Sequence, residues 1–135
     1  MRIVLDANIV IAAFASRGLC ESILELCLSE HEVILCGDLI NEIEKNLRSK
    51  IKVPPEIIAG IKEFLIENST VMKPASIPPN TCRDPDDDKI LGLAVAASAE
   101  FIITVDKDLL VLEDFEKIQI VTPRMFSEIV HRAKK

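Results

Sequence analysis

The chain has no tryptophan and no tyrosine, and only five phenylalanines. Stacking of flat ligands on aromatic faces therefore cannot be its main means of recognition. Its four cysteines (Cys20, Cys27, Cys36, Cys82) form no C-x-x-C pair, and His31 and His131 lie far apart. That removes the common zinc spacings. The thiols are expected to be free and mostly buried, which suits a reducing compartment. No apolar run reaches the roughly 18 residues that a membrane span needs. The opening MRIVLDANIV carries an acid inside its apolar stretch. That interrupts a signal-peptide core, so the start reads as mature and cytoplasmic. Internal repeats and low-complexity segments are also missing. Positive charge is in short supply: 16 Lys and Arg against 22 Asp and Glu leave a net charge of −6. Taken alone, this argues against a protein that coats nucleic acid, where phosphate contacts dominate. A local acidic site that recruits a cation would produce the same imbalance, so position must decide.

What is present is a core-forming chain of 135 residues, 49% hydrophobic, enough for one domain. Strand-like and helix-like patterns alternate along it. Arg2–Leu5 reads as a strand, followed by helices over Ala7–Ala13 and Leu19–Leu28. Glu32–Leu35 reads as a second strand, and Gly37-Asp38 as a helix start with Asp38 as N-cap. In that helix Leu39, Ile43 and Leu47 form an inward stripe. Pro54-Pro55 opens a helix to about Glu67, with Ile57, Ile58, Ile61, Phe64 and Leu65 facing inward. A weak strand at Thr70–Lys73 and a proline-bearing loop to Arg83 come next. Pro85 to about Ala99 reads as a helix, Phe101–Val105 as a strand, Asp106–Leu112 as a short helix or turn, and Ile118–Val121 as the last strand. Thr122-Pro123 starts a C-terminal helix to about His131. The order implies a parallel sheet with helices on both faces. In such sheets, sites form outside the carboxyl ends of the strands.

Acids occupy those positions. Asp6 follows the first strand and Asp106 the fourth, RDPDDD opens the helix that feeds the fourth, and Glu42 lies one turn into the helix after the second. Capping explains several of them. Asp6, Asp84 and Asp106 each precede a helix start, and Asp86 and Asp87 suit the positive end of a helix dipole. Glu42 sits past its cap and beside the Leu39–Ile43 stripe, and Asp88 is past the first turn, so capping accounts for neither. Carboxylates that converge on one spot need a counter-charge. A donor set of oxygens without His or Cys suits Mg²⁺ or Mn²⁺. Such ions activate water and stabilise the leaving oxygen of a phosphodiester. Helical phase alone does not choose among Asp86, Asp87 and Asp88.

Asp6-Ala7-Asn8 after a strand, Glu42 on a later helix, Arg83 through Asp88, and Thr104-Val105-Asp106-Lys107-Asp108-Leu109-Leu110 follow one another in that order. Together they resemble the PIN domain family, most closely its bacterial and archaeal branch of VapC-like toxins from toxin–antitoxin pairs. The resemblance spans the whole chain, 1–135, as a single domain. It implies a three-layer α/β/α fold around a central parallel sheet in order 3-2-1-4-5. It also implies a Mg²⁺- or Mn²⁺-dependent endonuclease that hydrolyses single-stranded RNA. Carried over by position, Asp6, Glu42, Asp88 and Asp106 would be the catalytic and metal-binding acids. The family's spacing to the T-x-D strand end favours Asp88, with Asp87 next and Asp86 or Asp84 behind it. Asn8, Thr104, Asp87 and Asp108 would support the acids. A homodimer and an antitoxin partner are implied too, the apolar Ile57–Ile66 stretch being one candidate interface, although core packing is its simpler use.

An RNA substrate needs cationic anchors. Lys45, Arg48, Lys50 and Lys52 form a basic run at the end of the Glu42 helix, with Arg83 and Lys107 near helix starts. Lys45, Arg48, Arg83 and Lys107 are the chosen contacts, although cations at a helix end also answer its dipole. Two alternatives compete. A non-catalytic PIN-like module would keep the acids for capping and bind RNA or protein. A Mg²⁺-dependent phosphatase of the haloacid-dehalogenase type needs a second Asp where this chain has Asn8.

Overall fold

The computed structural model describes residues 1–133. Its centre is β1 (Arg2–Leu5), whose RIVL sequence is buried after its first residue. β-branched residues that can face both ways suit an inner strand covered on both faces. α1 (Ala7–Ala15) and α2 (Leu19–Glu30) lead to β2 (Glu32–Leu35), which pairs parallel with β1. α3 (Gly37–Ser49) and α4 (Pro55–Asn68) lead to the short edge strand β3 (Thr70–Val71). Residues 72–84 then cross to α5 (Pro85–Ala97), which packs across β1, β2 and β4 (Phe101–Ile103). After α6 (Lys107–Leu110) come β5 (Asp114–Phe115), β6 (Ile118–Val121) and α7 (Pro123–Ala133).

The sheet order is β3-β2-β1-β4-β6-β5. The five expected strands thus stand in the expected 3-2-1-4-5 order, all parallel. A sixth, β5, pairs antiparallel with β6 and makes the sheet mixed. The hairpin between them turns through Glu116 and Lys117 at φ 47° and 72°. Both residues adopt the left-handed conformation without the Gly or Asn that advertises such a turn.

Three local expectations need correction. The N-cap of α3 is Cys36, and Asp38 lies in the first turn. The Ile57 and Phe64 side chains of α4 face outward, whereas Ile58 and Leu65 enter the core. α5 ends at Ala97 with Ser98 left-handed at its C-cap. Thr122 caps α7 as read from the sequence, its Oγ1 accepting the Met125 N–H at 3.1 Å. All four cysteines are free, and three are buried. Among the described residues, no helix is long and apolar enough to cross a membrane.

Candidate metal centre

The central parallel pair, β1 and β4, places two acids side by side. Leu5 is in register with Ile103, so both strands end together. The Asp6 N–H donates to the Ile103 carbonyl at 3.1 Å, and the Thr104 N–H donates to that of Val121 at 3.0 Å. The Thr104 hydroxyl is fully buried. It accepts the Asp106 N–H at 3.0 Å and donates to Asp6 Oδ2 at 2.7 Å. A hydroxyl has one proton, so this arrangement commits it to Asp6 and favours the carboxylate form there. Thr104 thereby links Asp6 to the Asp106 backbone across the two strand ends.

Asp6 is 8% exposed and makes no side-chain capping bond to α1. Its carboxylate is held chiefly by the Thr104 hydroxyl, with the Ala7 and Asn8 N–H groups beside it. Burial raises its pKa, the Thr104 hydroxyl and the Ala7 N–H pull it down, and the Asp106 charge pushes it up again; the net direction is upward. Asp106 does cap, accepting the Asp108 N–H at 2.9 Å.

The acid that α5 turns into the cleft most deeply is Asp87. Asp84 is the N-cap of α5, accepting the Asp86 N–H at 3.0 Å, and Pro85 occupies the first turn. The following acids then point in different directions, as about 100° per residue requires. Asp86 is exposed at the rim of the cleft. Asp87, 8% exposed, turns into it. Asp88 turns away, its Oδ1 accepting the Cys82 N–H at 2.9 Å, and it does not line the cleft. The structure thus brings Asp87 to the cleft and leaves Asp88, preferred from the sequence, outside its lining. Burial, then the Asp106 charge, raises the Asp87 pKa from 3.8 to about 7.

The cleft itself holds about 470 Å³ and is bounded by Asp6, Asn8, Glu42, Asp87 and Asp106, among others. Glu42 enters from α3 on an exposed turn. Its pKa is raised by burial and then by the Asp6 and Asp86 charges. Of the four expected RNA contacts, Lys45 lines the cleft. Arg48 pairs with Glu44 at 3.0 Å, while Arg83 and Lys107 are exposed outside the cleft lining. Lys89 lines the cleft instead, its ammonium 3.2 Å from Asp38. Cys36 and Asn41 also border it and were not expected. The strand-end rule pointed at Cys36, which directly follows β2.

These residues fit a hard divalent cation. Carboxylate oxygens of Asp87, Asp106 and Asp108 lie within 4.8 Å of one another. Asp87 Oδ2 is buried and has no hydrogen-bond partner among the described residues. A buried, unpartnered carboxylate oxygen is unfavourable unless something positive meets it. All three donors are hard oxygens, as Mg²⁺ and Mn²⁺ prefer.

Comparison with known proteins identifies relatives of the chain and of its fold. A family model described as PIN domain matches residues 2–108. The uncharacterized protein MJ1680 of Methanocaldococcus jannaschii is 31% identical over 145 residues, covering 95% of this chain and 90% of its own. Among solved structures, a chain of VapBC2 from Rickettsia felis, crystallised bound to a DNA fragment from their promoter, has a similar fold. The TM-score is 0.59 at 14% identity, over 90% of this chain and 98% of that one.

Proposed function

Because the chain belongs to the PIN domain family, we propose that it is a Mg²⁺- or Mn²⁺-dependent endoribonuclease that cuts single-stranded RNA. The observation that carries this reading is the unpartnered, buried Asp87 Oδ2. It lies in one cleft with Asp6, Glu42 and Asp106.

Asp87, Asp106 and Asp108, whose oxygens converge, would hold the cation together with Asp6 from the same cleft. When bound, it supplies Lewis-acid stabilisation of phosphodiester charge and eases deprotonation of water. The chain's own residues do the rest. Thr104 holds Asp6 in place through its committed proton. Glu42, with its pKa raised, accepts the proton of the attacking water; a base is most effective when its pKa approaches the working pH. Asn8 lines the cleft wall, where its amide would offer N–H donors to the substrate. Lys45 and Lys89 meet the flanking phosphates, on α3 and α5 respectively. With no Trp or Tyr, the grip is ionic rather than by stacking.

The resemblance extends the reading to a cytoplasmic toxin held in check by a small antitoxin, working as a homodimer. The fold shared with a chain of VapBC2 supports that extension.

The test is cleavage of a labelled single-stranded RNA with Mg²⁺ or Mn²⁺, with and without excess EDTA. Asp6→Asn is expected to abolish cleavage with an unchanged circular dichroism spectrum. Full activity in that variant or in EDTA overturns the proposal. Hydrolysis of para-nitrophenyl phosphate in place of RNA would mark a phosphatase.

A further inference from the structure

Asp88 lies next to the site yet serves none of its surface. We infer that Asp88 is a positioning residue, whose bond to the segment before α5 sets the rotation of the helix's first turn and so aims Asp87 into the cleft. The inference rests on the metal reading above for its consequence, and on geometry alone for its mechanism.

Ahead of the Asp84 cap, residues 72–83 are tied to α5 at two points among the described residues. The Ala75 N–H donates to the Gly92 carbonyl at 2.9 Å. A Cβ on Gly92 would overlap the Ala75 carbonyl oxygen, so the strand of loop lies directly on the helix there. One helix face further toward the start, the Cys82 N–H donates to Asp88 Oδ1 at 2.9 Å. Cys82 is itself 6% exposed. Its N–H would be left without an acceptor if the carboxylate moved, which is unfavourable for a buried donor. Between Cys82 and Asp88 the chain makes its turn into the helix, through the Asp84 cap and Pro85.

This closed turn opposes a specific force. Asp87 faces Asp106 and Asp6 in the cleft, and without a cation those carboxylates push it outward. The first turn of a helix frays most easily, since its N–H groups lack partners inside the helix. A bond from the residue after Asp87 back to the incoming chain resists both fraying and rotation. It also assigns the consecutive acids to different work: Asp86 to the rim, Asp87 to the cation, Asp88 to the clamp.

The interaction needs an oxygen acceptor on residue 88, not a charge. Asp88→Asn keeps that oxygen, Asp88→Ala removes it, and Asp87→Asn removes a ligand. Mn²⁺ affinity is measured by electron paramagnetic resonance on the full chain. Asp88→Ala is expected to weaken it about 10- to 100-fold, the usual effect of removing a residue that orients a ligand. Asp88→Asn should stay within about threefold of wild type, since a neutral acceptor makes most of the same bond. Loss in Asp88→Asn equal to that in Asp87→Asn overturns the inference, as does wild-type binding by Asp88→Ala. Should the alanine variant not fold, the contrast between the two asparagine variants decides. Amide hydrogen exchange judges the clamp without any cation. Faster exchange at Cys82 and Asp87 in Asp88→Ala, but not in Asp88→Asn, upholds it, and equal protection in all overturns it. If wild type binds no Mn²⁺, the metal reading fails, and the exchange result still decides the clamp.

Discussion

Asp87→Asn should make the cation-free protein more stable while removing its response to a cation. The wild-type carboxyl has its pKa raised from 3.8 to about 7, by burial first and then by the Asp106 charge. An acid whose folded pKa exceeds its unfolded one holds its proton longer in the folded state. Below about pH 4 both states are protonated and nothing is lost. Between about pH 4 and 7 the unfolded chain releases the proton and the folded chain keeps it, so stability falls as pH rises. Above about pH 7 the full penalty is present and constant. A shift of about three units sets a ceiling of about 4 kcal/mol. Water reaches the cleft mouth and screens the carboxylate there, so about 2 kcal/mol is the expected effect. For a chain of this length that is about 5–10 °C in Tm. The asparagine variant should therefore melt higher than wild type at pH 8 in EDTA, match it near pH 4, and lose the slope between. Adding Mn²⁺ should reverse the order at pH 8, since only wild type gains binding energy. Equal Tm values at pH 8 in EDTA, or the same slope in both proteins, would refute the electrostatic account of Asp87.

Two further perturbations probe the frame around the acids. Thr104→Val removes the proton donated to Asp6 and the acceptor of the Asp106 N–H together; urea unfolding should show a loss of about 1–3 kcal/mol. An unchanged midpoint would mean that the two bonds contribute nothing net. Gly92→Ala puts a methyl group into the Ala75 carbonyl, so residues 72–84 must lift off α5. Overpacking of this kind costs about 1–3 kcal/mol, and wild-type stability in a thermal melt would contradict the close approach.

The parts of the site legible in the sequence are those tied to strand ends. Asp6 follows β1 directly and Asp106 comes three residues after β4, and a parallel sheet brings the carboxyl ends of neighbouring strands together whatever the details of packing. The third acid was not legible in the same way. Asp86, Asp87 and Asp88 differ by one step of rotation each, and what sets the rotation is a bond to Cys82, on a loop whose path no pattern encodes. β5 escaped for a related reason: it is two residues long, and its turn uses Glu116 and Lys117 where Gly or Asn would have signalled it. Ile57 and Phe64 point outward because α4 lies beside α3 at the edge of the sheet, so one narrow stripe suffices to bury it.

The cations were half legible, and the missing half follows from helix geometry. Glu42 and Lys45 are three apart and share a face of α3, so a lysine there accompanies the acid into the cleft. Glu44 and Arg48 are four apart, and their ion pair at 3.0 Å keeps the guanidinium on a neighbouring face. Lys89 follows Asp88 by one step and swings back across the cleft mouth to Asp38. Both walls of the cleft thus carry one lysine beside two or more acids, Lys45 on α3 and Lys89 on α5. A net charge of −6 is then no obstacle to a polyanionic substrate. The acids concentrate where a cation would neutralise them, and the two lysines stand at the walls between which the phosphates of the proposed substrate would pass.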